Sequence, residues 1–250
     1  MLTEKRVNFQ RSISGFSIIE MAIVMVIVAT LLGGLLVSIS STQEINNRIE
    51  TKNQLDEIVE ALYGFAQVNG YLPCPAIPTS NGAESRNGGG VCSRVHGFVP
   101  SATLGLSGSV NADGLLLDSW LSPYRYSVTN ANGNVFTNQN GMRVTLAALG
   151  ATMGGVAPDL RVCDTAACGA VVADRLPVVV LSLGADWATF DAADVDAAEN
   201  SREAVLNGYR IPNDADFVSA PYIEDTFDDL ITWMSPNILF TKMITAGQLP

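Results

Sequence analysis

The sequence predicts an α+β protein. A long N-terminal α-helix, its first half crossing a membrane, packs on a globular head built around an antiparallel β-sheet. Three observations carry this. From Phe16 to Ser38 the only charged residue is Glu20. No proline falls between Phe16 and Leu72, and after Ser40 apolar residues recur at spacings of three, four or six. Beyond Gly70 the chain breaks into short apolar runs separated by Asn-Gly and Gly/Pro-rich turns.

The apolar run comes first. As a helix, Phe16–Ser38 would measure roughly 35 Å, enough to cross a bilayer. Lys5, Arg6 and Arg11 precede it against Glu4 alone. That bias keeps the leader in the cytoplasm and sends the remainder outward. An A-x-A-like site does not follow the run closely, so a secretory signal fits poorly. A plain anchor leaves Glu20 unexplained, because a carboxylate in lipid is costly.

The helix then turns amphipathic. Ile45, Ile49, Leu55, Ile58, Val59, Leu62, Phe65 and Ala66 form an apolar stripe, with Glu44, Arg48, Glu50, Lys52, Glu57 and Glu60 opposite. Asn69-Gly70 is the stop signal. Gly33 and Gly34 either loosen the helix locally or allow close helix packing.

In the head, residues 79–93 read as a loop. Tyr124–Thr129, Arg143–Ala147 and Val178–Leu183 read as strands of an antiparallel meander. Residues 224–246 read as one or two short helices split at Pro236.

The four cysteines, Cys74, Cys92, Cys163 and Cys168, form two sequence-local pairs beyond the apolar run. An even count there suggests disulfides Cys74–Cys92 and Cys163–Cys168 in an oxidising compartment. Two pairs of buried thiols are the alternative. A zinc site is disfavoured, since there is no C-x-x-C and His96 is the sole histidine.

Composition excludes other classes. The net charge is −11, and past the first fifteen residues 11 Lys+Arg stand against 24 Asp+Glu. Such a chain has no basic footprint for nucleic acid. It contains no P-loop, H-E-x-x-H or G-x-S-x-G motif, and no catalytic constellation stands out. His96 reads as a surface or packed loop residue. The acidic run holds Asp186, Asp191, Asp194, Asp196 and Glu199 without EF-hand spacing. It reads as a solvated loop, with calcium as the alternative. No cofactor is expected.

The segment MLTEKRVNFQRSISG followed by FSIIEMAIVMVIVATLLGGLL resembles the N-terminus of type IV pilins and type II secretion pseudopilins. The family pattern is a basic leader ending in Gly, then Phe, Thr or Ser, two apolar residues, Glu and about twenty more apolar residues. Gly15, Phe16, Ser17, Ile18, Ile19 and Glu20 supply it. The stretch DSWLSPYRY resembles the D-x-W-G-x-P-Y-x-Y turn of pseudopilin sheets through Asp118, Trp120, Pro123, Tyr124 and Tyr126. Leu121 stands where that pattern has Gly. A helix-breaking Pro about twenty residues after the Phe, common in pilins, is missing here.

The resemblance implies a pilin-like fold with three parts: a leader over 1–15, a helix over 16–70 with 16–38 in membrane or filament core, and a head over 71–250. It implies cleavage between Gly15 and Phe16 by a prepilin peptidase, N-methylation of Phe16, and pairing of Glu20 with the Phe16 amine of a neighbouring subunit. The partners would be that peptidase, other pilins or pseudopilins, and the inner membrane before assembly, with the head in the periplasm. The reading is a minor structural subunit, not an enzyme, of a secretion pseudopilus, type IV pilus or DNA-uptake pilus. An adhesive or substrate-binding module on a pilin stalk is the alternative.

Overall fold

The computed structural model describes residue 15 and residues 17–148, 156–188, 195–201, 215–223 and 226–250, with side chains of 32–41 left aside. The chain divides into two compact units, Met1–Asn46 and Asn47–Pro250.

Helix α1 is bounded by Ile18 and Asn69. The expectation that its first half crosses a membrane is corrected. Among the described residues no helix is long and apolar enough to do so.

The second unit takes the other end of α1. Leu55, Ile58, Val59, Leu62, Tyr63 and Ala66 are buried, as the stripe predicts. Ile45 and Ile49 depart from that stripe and stay 58% and 55% exposed. The helix stops at Gly70, whose φ of +79° puts it in the left-handed region and whose N–H closes on the Ala66 carbonyl at 2.9 Å.

Two sheets follow. The larger has the order β1 (His96–Phe98), β2 (Arg125–Val128), β5 (Val178–Ser182), β7 (Leu230–Trp233), antiparallel throughout. The smaller has the order β4 (Val171–Leu176), β3 (Leu160–Cys163), β6 (Asp216–Val218). In it β3 and β6 run parallel, so the expected antiparallel meander is incomplete. Strand β5 is buried at all five positions. Val178 and Val180 belong to a core with α1, Tyr124, Tyr126 and helix α3 (Pro236–Thr245). Val179 and Leu181 belong to another core with Leu160, Val162, Leu176 and Phe217. The run Val-Val-Val-Leu therefore has apolar neighbours on both faces, which explains its unbroken hydrophobicity.

Two other expectations are overturned. Arg143–Ala147 is not a strand but lies within the eight-residue helix α2 (Gly141–Ala148). Met142 and Leu146 are buried there while Val144 is 64% exposed, so the helical period prevailed. Part of the expected C-terminal helix is strand β7, paired with β5 from Val179↔Trp233 to Ser182↔Leu230. Helix α3 begins at Pro236, where proline's missing N–H costs nothing.

Candidate functional site

The N-terminal junction carries one half of a capping box, the bond from the N3 carboxylate back to the N-cap N–H. Ser17 precedes the first helical residue, and its carbonyl accepts from the N–H of Glu20 at 3.0 Å and of Met21 at 3.1 Å. The Glu20 carboxylate turns back to accept the Ser17 N–H at 3.4 Å. Ser17-Ile18-Ile19-Glu20 has the S-x-x-E spacing of a capping box, which gives Glu20 a local partner in its own chain. Its charge also lies at the positive end of the helix dipole. Gly15 is exposed, and a methyl group added to it would meet nothing within 4 Å. Phe16, expected to be cleaved, methylated and used in assembly, lies outside the described residues.

Beyond the cap the helix surface is apolar on every side. Ile23, Val24, Met25, Val26, Ile27 and Val28 are consecutive, and each is 43–65% exposed. Six consecutive residues advance more than a full helical turn, so no polar face remains. Such a helix requires apolar cover all round.

In the head, both expected disulfides are present. Cys74–Cys92 spans 5.2 Å and Cys163–Cys168 4.9 Å between Cα atoms. The first ties the exit of α1 to the 79–93 loop. Arg86 braces that loop through Glu84 at 3.0 Å and the carbonyls of Gly90 and Thr137 at 2.8 and 3.0 Å.

The DSWLSPYRY turn is built around buried Asp118. One carboxylate oxygen accepts the N–H of Trp120 at 2.9 Å and of Ser122 at 2.8 Å. The other accepts the Ser182 hydroxyl at 2.5 Å. Burial pushes the Asp118 carboxyl above its usual range, the three hydrogen bonds oppose this, and nearby Asp228 adds to the rise. Asp228 accepts the N–H of Ala185. Leu121 takes a φ of +66° where the related pattern has Gly, and its side chain is 64% exposed. Tyr124 then reaches α1, donating to Gln54 Oε1 at 3.0 Å.

His96 is buried on strand β1 rather than in a loop, with Nδ1 2.9 Å from the Ser127 hydroxyl. Of the acidic run, Asp191 and Asp194 lie outside the described residues. Asp196 accepts the Ala166 N–H at 2.7 Å, steadying the Cys163–Cys168 loop, and Glu199 is buried. Among the described residues no group of three His, Cys, Asp or Glu side chains is placed to hold a metal. Trp187 is 39% exposed, and its indole N–H donates to the Trp120 carbonyl at 3.3 Å.

No family model, no curated protein and no solved structure matches this chain.

Proposed function

We propose that this protein is a structural subunit, of the minor kind, in a type IV filament. A prepilin peptidase would remove residues 1–15 and methylate Phe16. The apolar N-terminal segment would then be buried among the same segments of neighbouring pilins or pseudopilins. The observation that carries the reading is the helix surface from Ile23 to Val28, exposed and apolar on every side. One partner cannot cover such a surface, whereas a bundle of parallel neighbours can. The Gly15-Phe16-Ser17-Ile18-Ile19-Glu20 junction supports the same reading. Before assembly the subunit would reside at the inner membrane with its head in the periplasm. The two disulfides support an oxidising compartment for the head. The machine would be one for protein secretion, pilus biogenesis or DNA uptake.

The test is recovery of tagged protein in sheared filaments, with the other subunits present. Recovery with the filament fraction is expected. Protein found only as a soluble or membrane-bound species, under conditions where filaments form, would contradict the proposal.

The partly exposed Trp187 beside Trp120 favours a second reading, in which the head displays a binding surface on the filament. Trp187→Ala would then leave filament recovery intact but abolish capture of the bound substrate.

A further inference from the structure

Among the described residues, strands β1, β4, β6 and β7 stand at the edges of the two sheets. All but one of these edges are covered or broken. Ala76 covers β1, exchanging backbone hydrogen bonds of 2.8 and 3.0 Å with Phe98. The Asn200 carboxamide covers β6, donating to the Val218 carbonyl and accepting its N–H, each at 2.8 Å. β4 meets β3 through register shifts and has Arg175 at a φ of +53°, irregularities that blunt an edge. β7 pairs with β5 in unbroken register. We propose that the outer edge of β7 binds an extended segment of another protein, which adds a further strand to the larger sheet.

Backbone geometry is the first argument. The Met234 N–H donates to the Val178 carbonyl at 3.1 Å. Bonded and unbonded pairs alternate along an antiparallel ladder, so Thr232 and Leu230 also bond to β5. Ile231 and Trp233 then direct their N–H and C=O groups to the outer edge. Among the described residues no hydrogen bond closes these groups. They are a template for main-chain recognition of an extended chain.

The groove along this edge is the second. It holds about 220 Å³ and includes Leu230, Ile231 and Thr232 of β7. Arg48, Lys52, Leu55 and Asp56 of α1 form one wall, with Ser219 and Ala220 forming another. An edge recessed between walls admits a single strand. The β7 of a second copy lies behind the same walls, so two such edges do not meet.

Charge is the third. The lining carries Arg48 and Lys52 against Asp56 and Asp229, and these balance. Arg48 is engaged, donating to the Asp228 carbonyl at 3.1 Å and lying 4.2 Å over the Tyr222 ring. Asp229 accepts from Asn200 at 2.8 Å. The groove therefore suits a neutral segment held by its backbone. Residues paired with Ile231 and Trp233 would be β-branched, since such side chains pack well across from aromatic and branched neighbours.

The proposal does not depend on the filament role. The probe is the peptide Ser-Val-Ser-Val-Ser-amide, labelled with fluorescein at its amino end and titrated with the full chain by fluorescence anisotropy. Saturable binding is expected. N-methylation of both valines removes the donors that face β7 and should weaken binding about tenfold or more. N-methylation of the central serine, whose N–H faces away, should leave binding nearly unchanged. Affinity should change by less than about twofold between about 0.01 and 0.15 M salt, because no charge pairing is involved. Ile231→Pro removes an outward N–H and spares the ladder to β5. Ala220→Trp fills the groove without altering the strand. Each should weaken binding about tenfold or more. Melting curves of each variant separate lost binding from lost fold. Absence of saturable binding would overturn the proposal, as would binding that responds to salt and not to valine N-methylation. Wild-type affinity in folded Ile231→Pro or Ala220→Trp would do the same. A dimer in sedimentation that Ala220→Trp dissolves would assign the edge to a second copy and likewise overturn it.

Discussion

The Glu20 carboxylate lies 3.4 Å from the backbone N–H of Ser17 and closes the first turn of α1. The same side chain is proposed to pair with the Phe16 amine of a neighbour. The two roles make different demands. A cap needs only an acceptor, whereas the pairing needs a negative charge. Glu20→Gln keeps the cap and removes the charge; Glu20→Leu removes both. If charge pairing guides assembly, both variants should fall well below wild type in sheared filaments. Leaving a buried ammonium unpaired would cost about 3–5 kcal/mol. Wild-type assembly by Glu20→Gln together with failure of Glu20→Leu would assign Glu20 to the cap alone.

Leu121 combines a left-handed backbone with an exposed apolar side chain. Glycine adopts this conformation without the Cβ clash, though it is more flexible when unfolded. Leu121→Gly should therefore stabilise the protein by about 0.5–1 kcal/mol, raising Tm by about 2–3 °C. A lower Tm would show that the leucine side chain contributes packing that outweighs its backbone cost.

Asp118 gives the pH dependence a definite sign. Its folded pKa lies above the unfolded one because of burial. Its contribution is therefore fully present below about pH 3.8 and is lost as pH rises through the folded value. Asp118→Asn removes this titration while keeping an acceptor for Trp120 and Ser122. Relative to wild type, the variant should gain stability between about pH 4 and neutrality, read from denaturant melts. A difference that is constant or shrinks with rising pH would contradict the assignment. Asp118→Ala, which orphans the turn's donors, should lose about 2–4 kcal/mol at any pH.

The disulfides should differ in strength. The Cys74–Cys92 loop is longer, with a separation of 18 against 5 for Cys163–Cys168. In the chain-entropy account these are worth about 3 and about 2 kcal/mol. Cys92→Ser should therefore lower stability more than Cys168→Ser in urea melts. The reverse order would mean that loop length does not govern their effect.

What could be read in advance divides along physical lines. The paired cysteines are close in sequence, and the buried side of α1 from Leu55 to Ala66 repeats at helical spacing, so local pattern sufficed. Arg143–Ala147 was too short a window to separate alternation from one helical turn, and only its packing through Met142 and Leu146 decides it. Strand β7 depends on β5, about fifty residues away, and β6 pairs in parallel with β3 across a similar distance. Neither partnership leaves a local mark. The Asp118–Ser182 bond likewise joins residues 64 positions apart, although it anchors a turn whose own residues were recognisable. That anchor also explains how the turn keeps its form with leucine in the glycine position. The Ser17–Glu20 contact is legible in the S-x-x-E spacing, although the neighbouring apolar run points to a membrane setting for the same carboxylate.

As a processed filament subunit, the proposed mature chain would have Phe16 as its first residue. The most direct measurement is mass spectrometry of the N-terminal peptide of the protein recovered from cells that contain the peptidase. A chain beginning with N-methylated Phe16 is expected. A chain that keeps residues 1–15, or one that begins after Ser40, would contradict it.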